Sequence, residues 1–96
     1  MKKLIDIIKK IKRQRNRSIV IIDKNQYFDS AKAKFIIRYA RYSSYYELYL
    51  TDNGKWIEII EMETANVLEE DSAKRILINL NAIEQYEKYF NKLEVI

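Results

Sequence analysis

The chain contains no cysteine, no histidine and no proline, and its 96 residues include a single glycine, Gly54. Each absence removes a class of chemistry. Without cysteine there is no disulfide framework and no thiolate metal site, which suits a reducing cytoplasm. Without histidine as well, the commonest general base and the commonest transition-metal ligands are lost together. Ser-His and Cys-His nucleophilic catalysis within the chain is excluded. One glycine cannot build a Walker loop or a dinucleotide fingerprint, so nucleotide hydrolysis and Rossmann-type binding fall too. Long apolar runs are missing: none approaches the roughly 18 residues of a membrane span. The opening Met1-Lys2-Lys3-Leu4-Ile5-Asp6-Ile7-Ile8-Lys9-Lys10 imitates a signal peptide. Its apolar stretch is too short, holds Asp6 and ends in lysines, so it is expected to belong to the mature protein.

What remains is a chain 48% hydrophobic. Its length reads as one domain, 1–96, able to bury roughly 60–65% of its unfolded surface. The most legible stretch runs from Tyr45 to Met62. Asn53-Gly54 predicts a β-hairpin closed by a two-residue type I′ turn, because both central positions of that turn need positive φ. Tyr46, Leu48 and Leu50 share one face of the first strand. Trp56, Ile60 and Met62 share one face of the second, with Glu58 between them, while Ile57 and Ile59 take the other. Apolar groups on both faces predict a sheet covered on both sides.

Around the hairpin, periodicity supplies the other elements. Leu4, Ile7, Ile8 and Ile11 predict a helix over residues 2–13 with a basic outer face. Ser18-Ile19-Val20-Ile21-Ile22-Asp23 reads as a strand, and Lys24 to Ser30 as a loop. Ala31, Ala33, Phe35, Ile37 and Tyr39 alternate with Lys32, Lys34, Ile36 and Arg38, predicting a strand; a helix capped by Ser30 is the competing reading. Ser43-Ser44 marks a bend. Ala73, Ile76, Leu77, Leu80, Ile83, Tyr86, Phe90 and Leu93 predict one helix from Ala73 to Leu93, capped by Asp71 or Ser72. A strand over Lys74 to Leu80 competes with its first part. The expected class is α+β: a small antiparallel sheet of about four strands, including the Asn-Gly hairpin, with an N-terminal and a C-terminal helix.

Charge is lopsided. The formal total is +4, but residues 1–17 hold eight Lys/Arg against one Asp, a net +7, and the remainder is −3. Six acids and no base lie between Glu58 and Asp71: Glu58, Glu61, Glu63, Glu69, Glu70 and Asp71. A basic end of this kind points to nucleic acid, a nucleoprotein or an anionic surface. Lys2, Lys3, Lys9, Lys10, Lys12, Arg13, Arg15 and Arg17 would contact phosphates. In Arg38-Tyr39-Ala40-Arg41-Tyr42-Ser43-Ser44-Tyr45-Tyr46, the cations Arg38 and Arg41 interleave with Tyr39, Tyr42 and Tyr45, a pattern suited to gripping phosphates and stacking bases. The same residue types concentrate at protein interfaces and also pack within ordinary sheets.

Carboxylates are the only catalytic material left. Asp23, Asp52, Glu58, Glu61 and Glu63 could gather magnesium, yet their spacing matches no specific site. The first expectation is therefore a non-enzymatic nucleic-acid-binding module in the cytoplasm, with no cofactor and no metal. The second is an inhibitor or adaptor that docks on a host protein or nucleoprotein, through the Tyr-rich face or through the acids at 58–71. No motif carries a family resemblance. The profile of a small, cysteine-free chain with lopsided charge is similar to that of phage and mobile-element proteins, anti-CRISPR inhibitors among them, and implies the second function. Membrane-surface attachment by residues 2–13 is disfavoured, since the Ile face is the natural cover for the sheet. A monomer, or a homodimer paired along a Tyr-rich edge strand, is expected.

Overall fold

Beginning at Arg17, the computed structural model describes residues 17–96. The helix expected over 2–13 lies outside them, as do seven of the eight N-terminal cations. Among the described residues, six strands precede two helices: β1 Ile19–Asp23, β2 Gln26–Asp29, β3 Ala33–Arg41, β4 Ser44–Thr51, β5 Trp56–Ile60, β6 Thr64–Leu68, α1 Glu70–Asn79 and α2 Ile83–Tyr89. β3 to β6 form a four-stranded antiparallel meander in chain order, and β1 and β2 form a separate two-stranded ribbon. The class is α+β, as expected.

The alternation in β3 and β4 explains the layering. Register pairs Ile37 with Leu48, Tyr39 with Tyr46 and Lys34 with Leu50, all on the face that receives the helices. There Ile36, Tyr39, Leu48 and Trp56 pack with Ala73, Leu77 and Ala82. On the opposite face Tyr49, Ile57 and Ile59 meet Val20 and Phe28 of the ribbon. Leu48, Ile57, Ile59 and Leu77 are fully buried, each contributing about 1.5–3 kcal/mol. Strict alternation would send the neighbours Ile36 and Ile37 to opposite faces. The register shift between Phe35 and Ile37 is a bulge that keeps both against the helix-side core.

Several expectations need correction. Lys24 to Ser30 is not a loop: it contains β2, followed by a 3-10 turn at Ser30–Lys32 in which the Ala31 N–H donates to the Asp29 side chain. A four-residue strand is too short to show its own period. Pairing fixes it, with Phe28 opposite Val20 and Tyr27 opposite Ile21. The two-residue type I′ turn expected at Asn53-Gly54 is not formed. Asp52, Asn53 and Gly54 make a three-residue connection between Thr51 and Lys55, closed by the Gly54 N–H on the Thr51 carbonyl at 2.9 Å. Only Gly54 there has positive φ, +82°, as in a type I turn ending in a left-handed residue. Paired positive φ occurs instead at Tyr42-Ser43 and Glu61-Met62.

The single helix from Ala73 to Leu93 is also corrected. It breaks at Asn81, which takes φ +54°. The Ala82 N–H donates to the Leu77 carbonyl and the Asn81 N–H to that of Ile78, the two bonds of a Schellman cap. The expected caps at Asp71 or Ser72 lie inside α1. Its N-cap is Glu69, without a side-chain cap bond; Glu70 and Asp71 occupy the first turn, where the helix dipole favours them.

Candidate functional site

The strand period divides the Arg/Tyr run. Arg38 pairs with Glu47 and Ala40 with Tyr45, on the ribbon side; Tyr39 and Arg41 lie on the helix side. Tyr39 is only 8% exposed. It stacks on Tyr46 at 5.2 Å and donates its hydroxyl hydrogen to Glu58. Burial first, then that bond to Glu58, hold the phenol protonated well above its ordinary range. Tyr39 is thus core, with no ring face free to stack a base.

Tyr42 is 82% and Tyr45 63% exposed. The Arg41 guanidinium lies 5.1 Å from the Tyr42 ring centroid. In an antiparallel meander the β3–β4 and β5–β6 turns fall at one end of the sheet, so Tyr42-Ser43 and Glu61-Met62 are neighbours. Two bonds staple them: the Glu61 N–H donates to the Tyr45 carbonyl at 2.9 Å, and the Tyr45 N–H donates to Glu61 Oε1 at 2.8 Å. Arg38, Tyr45, Glu47, Glu61 and Met62 line a shallow depression of about 200 Å3 beside this end. Arg38 donates to Glu47 Oε2 at 3.1 Å across its rim. Met62 is 40% exposed. Glu47 and Met62 were not among the expected site residues. Strand parity and turn order are the signals that reveal them, since both follow from counting residues between the turns.

The acids of 58–71 do not make one patch. Glu58 faces the helices and holds Tyr39. Glu61 and Glu63 sit at the turn end of β6, while Glu69, Glu70 and Asp71 follow its other end. At about 3.3 Å per residue the two groups lie about 20 Å apart. Of the N-terminal cations, Arg17 is described, and it is engaged. Its guanidinium donates to both oxygens of Asp29, at 3.0 and 2.7 Å. The Arg17 bond holds the Asp29 carboxyl below its usual range against the opposing effect of burial, with the Ala31 N–H assisting.

Residues 17–96 carry eleven Lys/Arg and thirteen Asp/Glu, a net −2. Among the described residues, no three acidic side chains gather as a metal site, and no helix is long and apolar enough to cross a membrane. Fold and surface together define a small α+β protein with a Tyr/Arg/Met cluster at one end of its meander. No protein-family model, no curated protein and no solved structure matches the chain.

Proposed function

We propose that the protein is a non-enzymatic protein-binding module, an adaptor or inhibitor, that docks through the end of the sheet formed by Tyr42, Tyr45 and Met62. The observation that carries this reading is the composition of that end: two exposed tyrosines, an exposed methionine and the arginines Arg38 and Arg41, beside a shallow depression. Tyr, Met and Arg are the residue types enriched where proteins bind one another. Backbone strain supports it. Tyr42 stands at φ +52° and Ser43 at +63°, where Asn and Gly would cost less, and such strain concentrates at functional sites.

A second reading keeps nucleic acid as the partner. Its support is the cations at Lys2, Lys3, Lys9, Lys10, Lys12, Arg13 and Arg15. Against the sheet as a phosphate surface stand the net −2 of residues 17–96, the Glu47 carboxylate on Arg38, and Glu61 bonded to the Tyr45 backbone. Anisotropy titrations of mixed-sequence oligonucleotides, single- and double-stranded, separate the two. The protein-binding reading expects weak affinity that salt abolishes and that Tyr42→Ala/Tyr45→Ala leaves unchanged. Tight binding lost in that double variant overturns it in favour of nucleic acid.

A further inference from the structure

The strand β3 is an edge of the meander, and no described strand pairs with its outer side. Its backbone phase can be derived. Arg41 and Ser44 flank the two-residue turn, so they form a hydrogen-bonded pair, and pairs then alternate along the ladder. Ala40–Tyr45 and Arg38–Glu47 are therefore non-bonded pairs. The Tyr45 backbone agrees, because its N–H and carbonyl both serve Glu61 on the other side. The N–H and C=O groups of Arg38 and Ala40 consequently point out of the sheet.

Two depressions flank this open segment, one on each face. On the ribbon side lies the one lined by Arg38, Tyr45, Glu47, Glu61 and Met62, where two carboxylates stand beside a guanidinium that is paired with Glu47. On the helix side, about 230 Å3 is enclosed by Tyr39, Ala40, Arg41, Ile76, Asn79 and Leu80. A strand laid beside β3 would direct successive side chains alternately to the one face and the other. The charge of the segment is of one sign. Residues 30–46 contain Lys32, Lys34, Arg38 and Arg41 and no acid. A second copy's β3 would set these cations against themselves, and the N-terminal run 1–16 is basic as well.

We propose that β3 receives an acidic, extended segment of a partner protein by strand addition, bonded to the backbone of Arg38 and Ala40, with its acidic side chains on the helix side toward Lys34 and Arg41 and uncharged ones on the ribbon side, where Glu47 and Glu61 lie. This rests on the protein-binding reading and names its partner's chemistry. Main-chain bonds would supply affinity, and the helix-side cations specificity.

The test begins with a random peptide display library selected on the immobilised full chain; the winning sequence is synthesised as the probe. Expected winners are rich in Asp and Glu, and the probe slows amide hydrogen exchange at Arg38 and Ala40. Ala40→Pro removes an outward N–H that the native sheet does not use, and weakens the probe about tenfold. Arg38→Glu/Arg41→Glu weakens it too and shifts selection away from acids; circular dichroism checks that both variants fold. Winners without acidic enrichment, unchanged exchange at Arg38 and Ala40, or no winners at all overturn strand addition. Winners that ignore Ala40→Pro but are lost in Tyr42→Ala/Tyr45→Ala overturn it while leaving the protein-binding reading standing.

Discussion

Tyr39 on β3 and Glu58 on β5 are joined by a hydrogen bond that passes over β4, hydroxyl to carboxylate, on the helix-covered face of the sheet. The bond ties an edge strand to the third strand of the meander. Tyr39→Phe leaves the half-buried Glu58 carboxylate without this donor and lowers stability by about 1–3 kcal/mol in urea denaturation. The pair also sets an alkaline limit. The Tyr39 pKa is raised in the folded state by burial and by Glu58, so its contribution is intact below the unfolded value, about 10, and is lost as pH rises beyond it. Tyr39→Phe flattens that part of the stability curve; an identical alkaline slope in the variant contradicts the assignment.

At the other end of the pH scale the Arg17–Asp29 pair contributes. The folded Asp29 carboxyl lies below its ordinary value, chiefly through the Arg17 bond. Its stabilisation is therefore present above about pH 4 and lost as pH falls through the folded value. Asp29→Asn lowers Tm at neutral pH and matches the parent under strongly acid conditions. A gap between them that persists in strong acid contradicts the pair's role.

Left-handed residues give a third expectation. Ser43 and Asn81 stand at φ +63° and +54°, so Ser43→Gly and Asn81→Gly each raise stability by about 0.5–1 kcal/mol. Gly54 has nothing within 4 Å of an added Cβ. Gly54→Ala thus costs backbone strain alone, about 1 kcal/mol. Chemical denaturation measures all three; a stabilised Gly54→Ala contradicts the turn geometry.

The register makes a local prediction as well. Amide exchange in the free protein is fast at Arg38 and Ala40 and slow at Ile37, Tyr39 and Arg41. Uniform protection along β3 means a different register or a covered edge.

Much of the sheet was legible in the residues. Alternation from Ala33 to Tyr39 and the two apolar faces of Tyr45 to Met62 reported real strands, because both faces of the sheet are buried; Ala31 and Lys32 instead belong to the 3-10 turn, and the bulge puts Phe35 on the face opposite Ile37 and Tyr39. The turns were not legible. Asn53-Gly54 has the local preference for a type I′ turn, yet register assigned paired positive φ to Tyr42-Ser43 and Glu61-Met62, where propensity argues against it. The helix break at Asn81 was hidden because Leu77 and Ile83 continue an apolar period on either side of it. Of the candidate site, Tyr42 and Tyr45 are exposed. Tyr39 lies two residues before Arg41, hence on the same face as the helix core. Parity counted along β3 would have separated it from Arg38.

Site-directed photo-cross-linking tests the central claim most directly. A photoreactive phenylalanine analogue replaces Tyr42, and in a control it replaces Glu84 on α2. The account predicts a discrete protein adduct at position 42 in cells, absent at position 84 and diminished by Met62→Glu. Equal adducts at both positions, or cross-links from position 42 to nucleic acid alone, would contradict a protein-docking end on this sheet.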